Sequence, residues 1–218
     1  MMGLNDRKQL AGAEQAGWLA YNLTNDHTNG LGSWSDADLE KYLSTGSAEG
    51  HGPASGPMAE VVENSLRHLD PGDSHAMAAY LRGVAAQPDG PPAVLQAGSP
   101  VAETDKLGQR LFVQACAGCH LTSGGGRQSP WAALWGSHTA GDPAGINLVQ
   151  VLSQGTQIRT DQGLMFMQPF TGAYTDVELA ALANYTSSQF GFRQGRISPE
   201  QIQKQRGPEP GKAIKPAS

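Results

Sequence analysis

The feature that most constrains this chain is a pair of cysteines three positions apart with a histidine directly after them. Cys116 and Cys119 are the only cysteines among 218 residues, and His120 follows the second one. The pattern C-x-x-C-H is typical of covalent c-type haem attachment, in which two thiols add to the two vinyl groups of one haem. The next imidazole then binds the iron from the proximal side. The motif therefore predicts one haem c, with His120 as an iron ligand.

Two other kinds of site use closely spaced cysteines. A redox-active C-x-x-C motif is expected within a thioredoxin-like βαβ unit, and the sequence shows no such pattern. A structural zinc site needs four ligands, and no second Cys/His pair occurs at zinc-like spacing. Haem attachment is therefore the interpretation that the motif favours.

Composition limits the remaining classes of function. Hydrophobic residues make up 39% of the chain and aromatic residues 6%, while there are 28 glycines and 14 prolines. A haem would supply apolar bulk that these side chains lack. The net charge of -5 argues against a nucleic-acid partner. No apolar run approaches the length of a membrane-spanning helix.

The first ten residues do not fit a secreted protein. They carry charges and lack the apolar stretch of a signal peptide. Haem c is normally attached outside the cytoplasm, so a protein with this motif needs export. We therefore expect that the true start lies upstream or that the sequence is a fragment.

Hydrophobic periodicity and capping residues predict helices, and hence an all-α fold. The third predicted helix buries Met77, Tyr80 and Leu81, and the second includes Val61 in its buried stripe. Residues 160–174 are expected to form a loop. The predicted helices are Ser35 to Gly46, about 59–69, a helix capped by Asp73, about 104 into the haem motif, about 146–154, and Thr175 to Gly191, which opens with a Thr175/Glu178 capping box.

The pattern along the chain predicts two helical units joined by a linker rich in Pro, Gly and Ala. Residues 76–80 align weakly with residues 181–185, which suggests two copies of one unit. Only the second copy carries the haem motif. The predicted organisation is a partial domain at 15–87, a linker at 88–103, a mono-haem domain at 104–192 and a polar tail at 193–218.

Several segments resemble the three-haem cytochrome c subunits of membrane-bound bacterial dehydrogenases for alcohol, gluconate, sorbitol and aldehyde. The likeness covers about residues 15–192. The segments that resemble the middle haem domain of these subunits are residues 22–26, 30–39, 42–46 and 56–62. They include Trp34-Ser35-Asp36 and Gly56-Pro57-Met58. Residues 105–191 resemble the third haem domain, through residues 116–120, 167–170, 174–179 and 184–185.

The resemblance implies a cytochrome c-like fold and single-electron transfer. Electrons would come from a dehydrogenase subunit, a quinoprotein or a flavoprotein, and leave toward ubiquinone or another cytochrome. The chain would be an electron-transfer subunit rather than a catalyst. It would lie in the periplasm or at the periplasmic face of the bacterial inner membrane, held there through the complex.

The resemblance also implies the distal iron ligand. The family places a methionine three residues before a phenylalanine, which here gives Met167 before Phe170. Met165 has the same chemistry and remains the alternative. The family's Met-Pro-x-Phe is changed here to Met167-Gln168-Pro169-Phe170, so the proline has moved by one position.

The departures from the family pattern concern the first half of the chain. The family's first haem domain is missing, and so are the cysteines of its second. Met58 matches the ligand of that second haem and would have no haem to bind. An N-terminally truncated copy is the expected explanation.

Two further functions stay open. One is a haem enzyme or gas sensor with an open distal site, and the other is an inactive fragment that receives no haem. Trp131 and Trp135 are expected to pack against the haem edge or the core, and Gly108, Phe112 and Tyr185 to form a helix crossing. The remaining histidines are expected on the surface or in loops: His27, His51, His68, His75 and His138.

Overall fold

The computed structural model describes residues 9–27, 30–87, 106–127, 129–142, 144–191 and 195–205. Helices dominate these parts, and the strands among them form short antiparallel hairpins, so the predicted helical class is confirmed. The helices are α1 (Asp36–Thr45), α2 (Pro57–Asn64), α3 (Pro71–Gly83), α4 (Lys106–Ala115), α5 (Ala117–His120), α6 (His138–Gly141), α7 (Ile146–Gln154), α8 (Asp176–Phe190) and α9 (Pro199–Gln205). The hairpins pair β1 (Ala13–Gln15) with β2 (Trp18–Ala20), β3 (Ser47–Ala48) with β4 (Gly52–Pro53), and β5 (Thr156–Thr160) with β6 (Gly163–Met167).

Helix ends are where the sequence predicted the structure best. Ser35 caps α1 through a reciprocal capping box with Asp38, and Gly46 ends that helix in the left-handed conformation. Thr175 and Glu178 form the predicted capping box of α8. The start of α3 was wrong by three residues, since the N-cap is Asp70 rather than Asp73. Pro71 occupies the first helical position, where its missing N–H costs nothing.

The main core lies between α4 and α8, which cross at Gly108 as predicted. A Cβ on Gly108 would lie 2.2 Å from the carbonyl oxygen of Ala181 and 2.6 Å from the Cβ of Tyr185, so the two backbones approach too closely for any side chain there. Phe112 is 1% exposed, and its ring centroid lies 4.9 Å from that of Phe190. The members of the main core are Leu111, Phe112, Cys116, Leu148, Val149, Leu152, Phe170, Leu179, Ala180, Leu182, Ala183, Tyr185, Phe190, Ile197 and Ile202.

Residues 195–205 differ from the expected polar tail. Helix α9 forms there and packs against α7 and α8, with Ile197 and Ile202 buried in the main core. The side chain of Asn184 holds the backbone of Ile197 through two hydrogen bonds, of 2.9 and 3.0 Å. Two isoleucines in a polar sequence were enough to anchor this segment. Residues 206–218 of the predicted tail lie outside the described residues.

The first part of the chain is built around two small clusters. Trp34 and Leu39 belong to one, together with Leu31, Ala48 and Ala78. We call the other the α2 cluster, and its buried members are Ala54, Ala59, Val62 and Ile158. The prediction that Val61 and Tyr80 point inward was wrong, since they are 47% and 61% exposed. A short helix buries only a narrow stripe of side chains. In α2 and α3 that stripe contains Val62 and Ala78 instead.

Contacts between the first part and the main core are specific. The side-chain amide of Asn147 makes two 2.8 Å hydrogen bonds to the backbone of Leu19, accepting from its N–H and donating to its carbonyl. Gln150 donates to the carbonyl of Gly17 at 2.8 Å. Strand β2 is thereby fastened to α7. The division into domains stays a prediction, and the expected linker at 88–103 lies outside the described residues.

Two of the histidines expected in loops or on the surface are partly buried against aromatic rings. His51 lies in the turn between β3 and β4, as expected, whereas His138 begins α6. The ring of His51 stacks on Trp34 with centroids 3.7 Å apart. His138 lies 5.0 Å from the ring of Tyr21, whose hydroxyl donates to the His138 carbonyl. Burial, and secondarily the charge of His51, lowers the pKa of His138 to about 4. His138 is therefore neutral in the folded protein at pH 7.

The depressed pKa of His138 predicts loss of stability in acid. The unfolded chain takes up this proton near pH 6.5, whereas the folded chain takes it up only near pH 4. The stabilisation is complete above about pH 6.5 and is lost as the pH falls toward 4, at a cost on the order of 2–3 kcal/mol. Urea unfolding at pH 7 and pH 4.5 measures it. In His138→Gln the free energy of unfolding should differ less between the two pH values. An equal pH dependence in both proteins would contradict the assignment of this effect to His138.

Candidate haem site

The two cysteines lie on a single turn of backbone directly after α4. The carbonyl oxygen of Cys116 accepts hydrogen bonds from the N–H groups of Cys119 and His120, at 3.1 and 2.9 Å. Residues three apart on such a turn share a face, so the two thiols can reach one planar group. Cys116 is buried at the edge of the main core and Cys119 is exposed; the two sulfurs are not bonded to each other.

The Cys116 thiol is poorly suited to redox chemistry. Burial, and then the neighbouring Cys119, raises its pKa to about 11. Reactive C-x-x-C cysteines instead have a lowered pKa, since the thiolate is the nucleophile. The environment of Cys116 therefore differs from that of a reactive disulfide-exchange thiol.

His120 is held in the orientation and tautomer that a metal requires. Its Nδ1 lies 2.7 Å from the carbonyl oxygen of Ala132. A carbonyl can only accept, so Nδ1 carries the proton and Nε2 presents its lone pair. Burial lowers the pKa of His120, which keeps the ring neutral at pH 7. Histidine ligands of metals are commonly fixed by a hydrogen bond of this kind from the other nitrogen.

The expected loop at 160–174 was wrong in its first part, because residues 156–167 form the β5–β6 hairpin. In its register Thr156 pairs with Met167 and Ile158 with Met165. Along β5 buried and exposed positions alternate, but the strand has only five residues, too few for the sequence to show a strand pattern.

Met165 and Met167 lie on the same face of β6, and Leu164 and Phe166 lie on the other. Met167 packs against the main core, which contains Cys116. Met165 packs against the α2 cluster, as do Met58 and Trp131. Phe166 is 72% exposed. The structure thus separates the two candidate methionines by the core that each one contacts.

Two buried polar groups beside these residues lack a hydrogen-bond partner in the described part of the chain. They are the indole N–H of Trp131, next to Ala132, and the hydroxyl of Thr156, opposite Met167. Buried donors without a partner are rare in folded proteins. Haem carries two propionates that accept hydrogen bonds. The two cysteine thiols, the His120 imidazole and these two buried donors together fit a haem.

Sequence reasoning missed two parts of this site. The Ala132 carbonyl and the Thr156 hydroxyl carry no local signal, because each acquires its role from tertiary contacts. Met58 is partly buried on the α2 cluster. Among the described residues, no group of three or more His, Cys, Asp or Glu side chains is placed to hold a metal ion.

Comparison with known proteins agrees with this geometry. Residues 106–189 match the family model for cytochrome c. The chain is also 33% identical to the fructose dehydrogenase cytochrome subunit of Gluconobacter japonicus, over 94% of its own length. The chain belongs to the family of dehydrogenase cytochrome c subunits. Residues 106–189 are a cytochrome c domain, the kind of domain that holds haem c covalently.

Other relatives belong to the same family. The gluconate 2-dehydrogenase cytochrome c subunit of Pantoea cypripedii is 32% identical over 87% of this chain. The cytochrome c subunit of alcohol dehydrogenase (quinone) from Gluconobacter oxydans (strain 621H) is 28% identical over 89% of it. The chain covers 47%, 45% and 42% of these three relatives, so it spans less than half of their length.

None of the helices in the described ranges is both long and apolar enough to cross a lipid bilayer.

Proposed function

We propose that this cytochrome carries single electrons through one haem c whose iron is held by His120 and Met167. The observation that carries the proposal is the 2.7 Å hydrogen bond from His120 to Ala132, on the turn that presents both thiols. It supplies a neutral imidazole with a free Nε2 beside two cysteines. Haem, when bound, supplies the one-electron ferric/ferrous couple.

Each residue of the site has one role in this proposal. Cys116 and Cys119 would form the two thioethers and keep the cofactor from dissociating. His120 would bind the iron through Nε2, with its ring held by the bond to Ala132. The buried donors of Trp131 and Thr156 suit the propionates, whose negative charge needs partners in an apolar setting.

Met167 is the preferred distal ligand because it packs against the main core, where Cys116 also lies. Met165 contacts the α2 cluster instead. A thioether ligand raises the reduction potential of haem iron. If His120 and Met167 both hold the iron, substrates and gases would be kept from the metal, as expected of an electron carrier rather than a haem enzyme or gas sensor.

The names of the relatives suggest the partners. They are cytochrome subunits of fructose, gluconate and alcohol dehydrogenases. We infer that a dehydrogenase catalytic subunit, a quinoprotein or a flavoprotein, donates the electrons. Ubiquinone or another cytochrome accepts them, and the reaction takes place in the periplasm or at the periplasmic face of the inner membrane.

A redox titration tests the proposal. The protein is exported with a periplasmic leader in a host that matures c-type cytochromes, and its spectrum is followed against potential. We expect one wave that fits a one-electron couple, and a ferrous Soret band that carbon monoxide leaves unchanged at pH 7. A shift of the Soret band with carbon monoxide would show an open distal site and favour the enzyme or sensor alternative.

A further inference from the structure

Strand β5 belongs in sequence to the second half of the chain, yet its central residue is buried in the first half. Ile158 is 4% exposed and completes the α2 cluster with Ala54, Ala59 and Val62. A Cβ placed on Gly46 would lie only 2.3 Å from Cδ1 of Ile158, so the backbone after α1 also closes over this side chain. Ile158 thus has close contacts on several sides.

The next residue makes polar contacts with the same helix region. The carboxylate of Glu63, on α2, accepts from the Nε of Arg159 at 3.2 Å and from its backbone N–H at 3.3 Å. The guanidinium of Arg67 donates to the carbonyl of Arg159. Both the side chain and the peptide groups of Arg159 are therefore fixed by the first part of the chain.

Strand β5, which makes these contacts, is paired with β6, the strand that carries both methionines. Ile158 pairs with Met165 in the β5–β6 ladder, and the pair one step along that face is Thr156 with Met167. A displacement of β5 moves β6 with it, since the ladder fixes their register.

Among the described residues, the backbone hydrogen bonds that join this hairpin to the rest of the second half lie at its base. The N–H of Gly155 bonds to the end of α7, and the N–H of Phe170 donates to the carbonyl of Leu152 at 2.8 Å. A two-stranded hairpin without further packing is marginally stable in water. Along its length the hairpin is packed against α2, with Trp131 beside it on the same cluster.

We propose that α2 clamps the β5–β6 hairpin, with Ile158, Arg159 and Glu63 as positioning residues that hold the distal methionine on the iron. This inference rests on the proposed methionine ligation. It gives the first part of the chain, which has no haem motif of its own, a role in the chemistry of the second part. Loosening the clamp raises the fraction of molecules in which the sulfur leaves the iron.

The test is an imidazole titration of the ferric holoprotein, because imidazole binds only when the methionine has dissociated. Ile158→Ala should keep the covalent haem but bind imidazole at least about ten-fold more tightly, since its apparent affinity scales with the open fraction. The weak sulfur-to-iron band should also disappear at lower alkaline pH. Ile158→Val, which removes only one methyl group, should bind imidazole with an affinity close to that of wild type.

Matched controls separate the clamp from a general loss of stability. Ile202→Ala makes the same change at a fully buried site in α9 and should leave the imidazole affinity within about two-fold of wild type. Glu63→Gln should tighten imidazole binding about two- to five-fold, as expected for a partly exposed ion pair. Glu60→Gln, on an exposed position of the same helix, should leave it unchanged.

Two outcomes would overturn the clamp. One is an imidazole affinity of Ile158→Ala and Glu63→Gln that stays within two-fold of wild type, and the other is an equal gain in Ile202→Ala. If Ile158→Ala does not fold, Glu63→Gln against Glu60→Gln decides. Failure of the ligand assignment is distinguishable, because it would show as an unchanged sulfur-to-iron band in Met167→Ala, whichever way the clamp variants behave.

Discussion

Met167→Ala is expected to abolish the weak long-wavelength sulfur-to-iron band of the ferric protein while leaving the haem covalently attached. The thioethers of Cys116 and Cys119 do not depend on the distal ligand. Water or an added ligand would take the vacant position, so carbon monoxide should now shift the ferrous Soret band. The reduction potential should fall on the order of 100 mV or more, within the roughly 0.8 V range that axial ligands span.

Met165→Ala is the matched control for this prediction. Met165 has the same side chain on the same face of β6, two residues away, but it packs against the α2 cluster. It should keep the sulfur-to-iron band and lower the stability by an amount typical of a partly buried methionine. If Met165→Ala abolishes the band and Met167→Ala keeps it, the ligand assignment is wrong.

Gly108→Ala is expected to destabilise the folded protein by about 2–3 kcal/mol, because one extra methyl group overfills the helix crossing. The new Cβ would lie 2.2 Å from the Ala181 carbonyl oxygen, which is backbone and cannot rotate away. Helices α4 and α8 would have to move apart, and Phe112 would lose its packing. Guanidinium unfolding of the holoprotein, followed by circular dichroism, measures the effect.

Gly72→Ala provides the matched control. Gly72 also lies in a helix, α3, but nothing approaches within 4 Å of the position of its Cβ. This substitution should be neutral or stabilising by up to about 1 kcal/mol, since alanine favours helices over glycine. A Gly108→Ala protein as stable as Gly72→Ala would contradict the close crossing of α4 and α8.

Features that depend on local sequence could be predicted. The C-x-x-C-H turn, the capping boxes at Ser35 and Thr175, and the crossing at Gly108 each follow from residue types at short spacing. The turn and the capping boxes depend on residues within one helix turn, and the crossing depends on a glycine that permits close approach of a second helix. The structure reproduces them within the described residues.

Features that depend on distant partners could not be predicted. Strand β5 is a strand because β6 pairs with it, and Ile158 is buried because α2 lies beside it. The lone pair on Nε2 of His120 depends on a carbonyl twelve residues later. Residues 195–205 are polar apart from Ile197 and Ile202, which are buried only because they reach the main core. None of these contacts leaves a periodic signal.

The measurement that tests the central claim most directly is the covalent haem content of the exported protein, purified under denaturing conditions and assayed as its pyridine haemochrome. The account predicts one haem per chain, with a spectrum typical of two thioether bonds, and Cys116→Ala should lower the yield and shift that spectrum. A chain that matures in the periplasm and retains no haem after denaturation would contradict the account. The motif at 116–120 would then be a relic in an inactive fragment.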